Sequence, residues 1–181
     1  MTRISMYERV MGRGFSRLAS SIQRFHRLEG RHELHGWVTT EAPASRLAML
    51  LAKLLGTPTR AGSGPIRFEL HAQADQEIWT RHFPHRTMAS ALRGEGQRIV
   101  ERLGAARLSF HLTESGGTLT MRLMAMHFMG IPCPAWLMPL VVAEENGAED
   151  KLHFKVGASL PLVGRVTGYS GHLEVPAEEP R

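Results

Sequence analysis

The sequence predicts an α+β fold, with N-terminal helices packed on a strongly curved, barrel-like antiparallel sheet of about eight or nine strands. Apolar residues recur every three or four positions in two segments before residue 57, as along a helix, and alternate with polar residues after Pro65, as along a strand. Short turns separate the later segments, without the crossover helices that parallel strands need. A large antiparallel sheet commonly curls or closes, because a flat one leaves its edges unpaired.

The first helical segment extends from Met6 to Leu28. Its pattern breaks near Gly12 and Gly14, because glycine favours helix ends and chain reversals. We therefore expect two short helices or one kinked helix. The apolar positions with helical spacing are Met6, Val10, Met11, Phe15, Leu18, Ile22 and Phe25.

A strand and a leucine-rich helix come next. The stretch "HELHGWVTTEA" alternates Leu34, Gly36 and Val38 with polar or aromatic neighbours, which predicts a first strand. The stretch "PASRLAMLLAKLLG" predicts a helix that begins after Pro43 and ends before Gly56, a residue suited to the left-handed backbone that follows many helices. Its apolar stripe consists of Leu47, Leu50, Leu51, Leu54 and Leu55.

The chain after Pro65 reads as a meander of strands. Turns such as "ADQ", "ESGG" and "ENGAED" are short enough to join antiparallel neighbours. The predicted strands cover residues 66–73, 76–83, 86–92, 97–103, 106–114, 117–128, 139–146, 151–159 and 165–175.

Length and composition fit one soluble domain. The 181 residues, 43% of them hydrophobic, suit a single domain over 1–181, with a core at about 7–175 and a frayed tail at 176–181. No apolar run approaches the about 18 residues that a membrane-spanning helix needs. Cys133 is the only cysteine, and the N-terminal residues lack the apolar centre of a secretory signal. We therefore expect a cytoplasmic protein.

The net charge of +5 originates in the N-terminal segment, where residues 1–31 hold seven arginines against Glu8 and Glu29. A basic helical region of this kind suits an anionic surface or an acidic partner. No aromatic platform or glycine-rich RNA motif accompanies it, so we expect no specific nucleic acid. A solvated arginine face on a packing helix explains the same pattern.

The strand at 76–83 has an unusual face. Strand alternation places Glu77, Trp79, Arg81 and Phe83 on one side. Glu101 alternates with apolar residues on its own strand, so it should point with the apolar side of that strand, where it could pair with Arg81. An ion pair across the outer face of the sheet, with Trp79 stacked under Arg81, is the alternative.

A methionine-rich stretch suggests a ligand. Alternation along "TLTMRLMAMHF" places Met121 and Leu123 on one face and Met124 and Met126 on the other. Methionine adapts to varied apolar partners, although it is also an ordinary core filler. If the curved sheet encloses a cavity, this composition suits an apolar or amphiphilic molecule. The candidate ligand-binding residues are Arg24, Trp79, Arg81, Glu101, Met124, Met126 and Tyr169.

Signals for catalysis are weak. Glu77 and Glu101 are candidates for a buried general base, but no nucleophile elbow or phosphate-binding loop accompanies them, and Cys133 has no local base. The histidines of "HELH" and "HFPH" are three residues apart, so on strands they point to opposite faces and cannot chelate together. We therefore expect no metal site and no cofactor, and we favour a non-catalytic role.

A series of short motifs is similar to domain of unknown function family 4166, from about Tyr7 to Val175. This resemblance implies a bacterial domain that occurs alone or fused to the C-terminal end of saccharopine dehydrogenase-like, nucleotide-binding proteins. It implies no particular reaction. The order of elements also resembles lipid-binding helix-grip domains without their long C-terminal helix, and a lipocalin-like barrel is the alternative. The motifs are "YERVMG", "RFH", "EIWTRHF", "ERLG", "GIPCP", "LPLVG" and "YSGHL".

Three hypotheses for function follow. The first is a binding module that holds a lipid-like or amphiphilic molecule inside the curved sheet, with Arg81 or Arg24 as its polar anchor. The second is an interaction domain whose Arg17, Arg24 and Arg27 dock on an acidic or dehydrogenase-like partner. The third is an enzyme that uses a buried glutamate as general base.

Overall fold

The structure is a computed structural model that describes residues 4–177. Residues 178–181, most of the tail that we expect to be frayed, lie outside the described part of the chain. The helices are α1 (Met6–Met11), α2 (Ser20–His26) and α3 (Arg46–Leu55), with 3-10 turns at Gly12–Arg17 and Ala135–Leu137. The strands are β1 (Gly30–Glu41), β2 (Gly62–Ala72), β3 (Gln76–Phe83), β4 (Arg86–Glu95), β5 (Arg98–Leu103), β6 (Ala106–Ser115), β7 (Thr118–Phe128), β8 (Ile131–Pro132), β9 (Leu140–Ala148), β10 (Lys151–Leu160) and β11 (Gly164–Glu174).

The sheet closes into an antiparallel barrel. The neighbours run β6-β5-β4-β3-β2-β1-β11-β10-β9-β7, and β6 also pairs with β7, so ten strands form a ring. The short β8 pairs with β7 at the edge of this ring. The prediction of a barrel-like α+β fold is confirmed, but the ring has more strands than the expected eight or nine. The difference is β1, which bonds to β2 on one side and to β11 on the other and so joins the two ends of the meander.

The N-terminal helices close one end of the barrel, which we call the closed end. Ser5 caps α1 by accepting a hydrogen bond from the Glu8 amide, and α1 ends at Gly12, whose φ of 53° lies in the left-handed region. The predicted break near Gly12 is therefore confirmed. The helices bury Tyr7, Phe15, Ile22 and Phe25 in the main core. The Ala19 amide donates to the Gly117 carbonyl at 2.9 Å, which ties this region to the β6–β7 turn.

Helix α3 lies at the opposite end, which we call the mouth. The Ser45 hydroxyl accepts from the Ala48 amide and donates to the Val163 carbonyl at 2.9 Å, so it caps the helix and ties it to the β10–β11 turn. The helix ends at Gly56, with a φ of 76° as predicted from its left-handed preference. The Arg86 side chain donates to the Gly56 carbonyl at 2.9 Å, which holds this end of α3 to the β3–β4 turn.

Two alanines, and not the leucines of the apolar stripe, are the most buried side chains of α3. The helix buries Ala48 and Ala52 against Val166 of β11, whereas Leu47 and Leu50 of the leucine stripe are 52% and 53% exposed. Leu54 is exposed as well, whereas Leu51 and Leu55 are partly buried against the same alanines and valine. Among the described residues, no helix is both long and apolar enough to cross a membrane.

Candidate ligand-binding site

The barrel encloses a cavity of about 390 Å³ that extends toward the mouth. Strands from around the ring supply its walls, and Leu47, Leu51 and Leu55 of α3 reach it from the mouth. Residues 128–143, which include the β7–β9 connection, add Cys133 and Leu137. Most of the wall is therefore apolar and comes from segments that are distant in sequence.

The inner face of β3 carries the four residues that strand alternation places on one side. Glu77, Trp79, Arg81 and Phe83 are all buried, while the intervening residues are exposed or partly exposed. The Trp79 indole N–H donates to Glu77 Oε2 at 2.8 Å, and the Arg81 guanidinium lies 4.9 Å from the centre of the indole ring. Trp79 thus lies between the carboxyl and the guanidinium. The predicted shared face is confirmed, and of the two arrangements left open it is the inward one that the structure has.

Arg81 brings a charged group into the apolar wall of the cavity. Its Nη1 donates to the Ser90 hydroxyl at 3.1 Å, and its Nη2 lies 3.9 Å from Glu101 Oε1. The second distance places opposite charges near each other but is too long for a hydrogen bond. A guanidinium has five N–H donors, so Arg81 retains capacity to bind a polar group in the cavity. The inward position predicted for Glu101 is confirmed.

Tyr169 completes this polar group. It lies on the cavity wall with Arg81 and Glu101. Burial raises the pKa of the Tyr169 phenol; the positive charge of Arg81 lowers it and the negative charge of Glu101 raises it. The hydroxyl therefore stays protonated over the ordinary pH range and can donate a hydrogen bond.

A second polar pair lies between α2 and the barrel. His26 Nε2 is 2.7 Å from Glu145 Oε2, and the side chains are 0% and 11% exposed. The Tyr7 ring stacks on the His26 imidazole with the centroids 3.7 Å apart. Sequence reasoning missed this pair, although alternation along β9 with the inward-facing Val141 and Ala143 would have placed Glu145 inside.

Burial and a neighbouring acid, Glu145, act on the buried Glu77 carboxyl. Burial raises the pKa of Glu77, while the charge of His26 and the hydrogen bond from Trp79 lower it and the charge of Glu145 raises it. Burial also raises the pKa of the Tyr7 phenol well above its usual value. Glu77 borders a separate cleft at the closed end, beside His26, and Glu101 lines the main cavity. The two proposed general bases therefore belong to different spaces.

The structure brings five of the seven candidate ligand-binding residues to the cavity wall. They are Trp79, Arg81, Glu101, Met126 and Tyr169. Arg24 lies at the closed end, where its Nη2 donates to Asp150 at 2.6 Å. Met124 lies outside the cavity wall and is 46% exposed.

A β-bulge explains the position of Met124. Ser109 of β6 faces Ala125 of β7 and Phe110 faces Leu123, so Met124 is an extra residue without a partner. One extra residue reverses the alternation along a strand. Met121 and Met126 consequently line the same cavity, and their predicted separation onto opposite faces is wrong.

The proposed docking arginines are engaged within the chain. Arg17 pairs with Glu114 at 2.6 Å, Arg24 with Asp150 at 2.6 Å and Arg27 with Glu8 at 3.2 Å. Among residues 4–177, no group of three or more histidine, cysteine or acidic side chains is arranged to hold a metal ion.

The chain matches a known protein family over most of its length. The family model described as "Domain of unknown function (DUF4166)" matches residues 18–173, and the chain therefore belongs to this family. No curated protein matches the chain. The crystal structure of Rv2717c from M. tuberculosis is similar in fold, with a TM-score of 0.50 and 10% sequence identity over 88% of this chain and 99% of that chain.

Proposed function

We propose that this domain binds a small apolar or amphiphilic molecule inside the barrel. The observation that carries the proposal is the cavity of about 390 Å³, with its largely apolar wall and a few polar side chains. Cavities that hold small ligands commonly have volumes of about 300 Å³ or more and this mixture of side chains. A solidly filled barrel would have argued against binding.

The polar residues favour a head group that is both a donor and an acceptor. Arg81 offers free donors, but Glu101 is only 3.9 Å away and offsets its charge. A fully ionised head group would therefore gain less from Arg81 than the isolated guanidinium suggests. A hydroxyl, a carboxamide or a protonated carboxyl group would satisfy Arg81, Glu101 and the Tyr169 hydroxyl together.

Native mass spectrometry of the freshly purified protein tests for a co-purifying molecule. A bound amphiphile would appear as a discrete mass above that of the chain and would vanish after denaturation. Titration with the apolar dye Nile red extends the test, since the dye needs only an apolar space. Competition with dodecanol and with dodecanoate then compares a neutral and an anionic head group.

A pair of matched variants locates the binding site. Ala143 lines the cavity, whereas Ala89 is exposed on the outer face of β4. Ala143→Phe should fill part of the cavity, so the dye would lose part of its apolar contact with the wall. Nile red binding should therefore weaken by about tenfold or more. Ala89→Phe should bind the dye as the unchanged protein does. Equal affinity of both variants would contradict a site inside the barrel.

A further inference from the structure

The mouth carries a concentrated apolar surface. Thirteen large hydrophobic side chains are exposed among the described residues, and eight of them lie around the mouth. Trp136, in the 3-10 turn, is 74% exposed. We call this set the mouth surface: Leu47, Leu50, Leu54, Met129, Ile131, Trp136, Leu140 and Leu162.

The segments that form the mouth surface contain no acidic residue. Segments 42–61, 128–143 and 158–164 hold no aspartate or glutamate, although the whole chain has 17. The same segments contain Arg46, Lys53 and Arg60, all exposed. No ion pair involves these three side chains within the described part of the chain. The surface is therefore apolar and positively charged.

The mouth surface is continuous with the cavity. Leu47 belongs to both, and Leu51 and Leu55 extend from the same helix to the cavity wall. The β7–β9 connection is arranged similarly, since Trp136 is exposed and Leu137 lines the cavity. The Met129 amide donates to the Ala105 carbonyl at 2.8 Å, which holds this connection beside the β5–β6 turn. Both segments therefore present one side to the cavity and the other to the surroundings.

We propose that the mouth surface docks on an anionic lipid bilayer. Leucine side chains and an exposed tryptophan fit the boundary between head groups and acyl chains, where aromatic residues concentrate. Arg46, Lys53 and Arg60 lie where they would meet anionic head groups, and each basic residue near such a surface strengthens binding by about fivefold. A second copy of this chain fits less well, because docking two mouths face to face would bring these three cations against their own copies.

Vesicle flotation tests the proposal with the full chain. One set of vesicles is phosphatidylcholine alone and the other is phosphatidylcholine mixed with phosphatidylglycerol. No small molecule that could bind in the cavity is added to either set. The protein should float with the anionic vesicles, and binding should weaken as salt is added because the charges are exposed. Trp136 fluorescence should shift to shorter wavelength at the same time, measured with Trp37→Phe so that the other exposed indole does not contribute.

Matched variants separate the mouth surface from the rest of the chain. Trp136→Ser should reduce flotation, whereas Trp37→Ser should not, since Trp37 is 51% exposed on the barrel wall, outside the mouth surface. The combined variant Arg46→Glu and Lys53→Glu should lower binding to anionic vesicles by at least about tenfold. Reversal of Arg13 and Arg31, which are exposed away from the mouth, provides the control of equal charge. Unchanged circular dichroism shows that the variants fold.

Three outcomes would overturn the proposal. They are the absence of flotation with anionic vesicles, equal loss in the mouth and control variants, and a concentration-dependent dimer that Trp136→Ser dissociates. The last result would identify the surface as a contact between copies of the chain. Ala143→Phe should float normally, so failure of membrane docking can be distinguished from failure of ligand binding in the cavity.

Discussion

Replacing Glu145 with leucine tests whether the buried pair with His26 behaves as an ion pair. The carboxylate is 2.7 Å from His26 Nε2, and the histidine side chain is 0% exposed. Within residues 4–177 the other ring nitrogen, Nδ1, is buried and has no hydrogen-bond partner. Glu145→Leu would therefore leave the whole imidazole without a polar partner, while the leucine itself fits the apolar wall.

The expected cost depends on the charge of the pair. Removal of one member of a buried ion pair costs about 3–5 kcal/mol, because the remaining charge is buried without compensation. Loss of a partner from a neutral buried group costs about 1–3 kcal/mol. We expect the larger value, because the 2.7 Å separation is that of a charge-assisted hydrogen bond and the His26 side chain is 0% exposed. The double variant His26→Leu and Glu145→Leu should lose less free energy of unfolding than the two single variants lose together, and the difference should be about 1–3 kcal/mol.

Urea unfolding of the two single variants and the double variant measures these free energies. Glu95→Ala provides a control, because Glu95 forms an exposed pair with Arg107 at 3.0 Å, and exposed pairs contribute about 0–1 kcal/mol. The ion-pair reasoning is refuted if Glu145→Leu costs less than about 3 kcal/mol, since that is the range of a neutral pair. It is also refuted if the two single losses simply add, since His26 and Glu145 would then not be coupled.

Two further predictions concern a glycine and an acid. Gly36→Ala should destabilise the barrel by about 1–3 kcal/mol or more in urea unfolding, because the new β-carbon would collide with the His172 carbonyl where β1 and β11 close the ring. Gly157→Ala, whose nearest neighbour would be 3.8 Å away, is the tolerated control, and equal losses would contradict the collision. Burial raises the pKa of Glu77 above its ordinary value of 4.5, so the folded protein binds the carboxyl proton more tightly than the unfolded chain does. The unfolding free energy should therefore decrease as pH rises from 4.5 through the raised pKa. Glutamine does not titrate, so Glu77→Gln should remove this loss. The unfolding free energy of the variant should therefore rise relative to that of the original protein as pH rises above 4.5. A difference between the two proteins that does not change with pH would exclude the raised pKa.

The sequence predicted the local features of the candidate site more reliably than its assembly. Strand alternation predicted without the fold that Trp79 and Arg81 share one face of β3. Only the closed barrel decided that this face points inward. The bulge at Met124 depends on how β6 pairs with β7, and alternation alone gives no sign of it. His26 and Glu145 are 119 positions apart, and only the packing of α2 on the barrel brings them together.

The sequence by itself determined the helices, nearly all of the strands and the antiparallel meander, because these depend on side-chain periodicity and turn residues over a few positions. The tertiary structure decided the closure of the ring by β1, the division of the α3 leucines between the cavity and the solvent, and the empty space inside the barrel. A helical stripe identifies which residues share a face but not which neighbour that face contacts. Cavities and buried pairs arise from the packing of distant segments, which local periodicity does not encode.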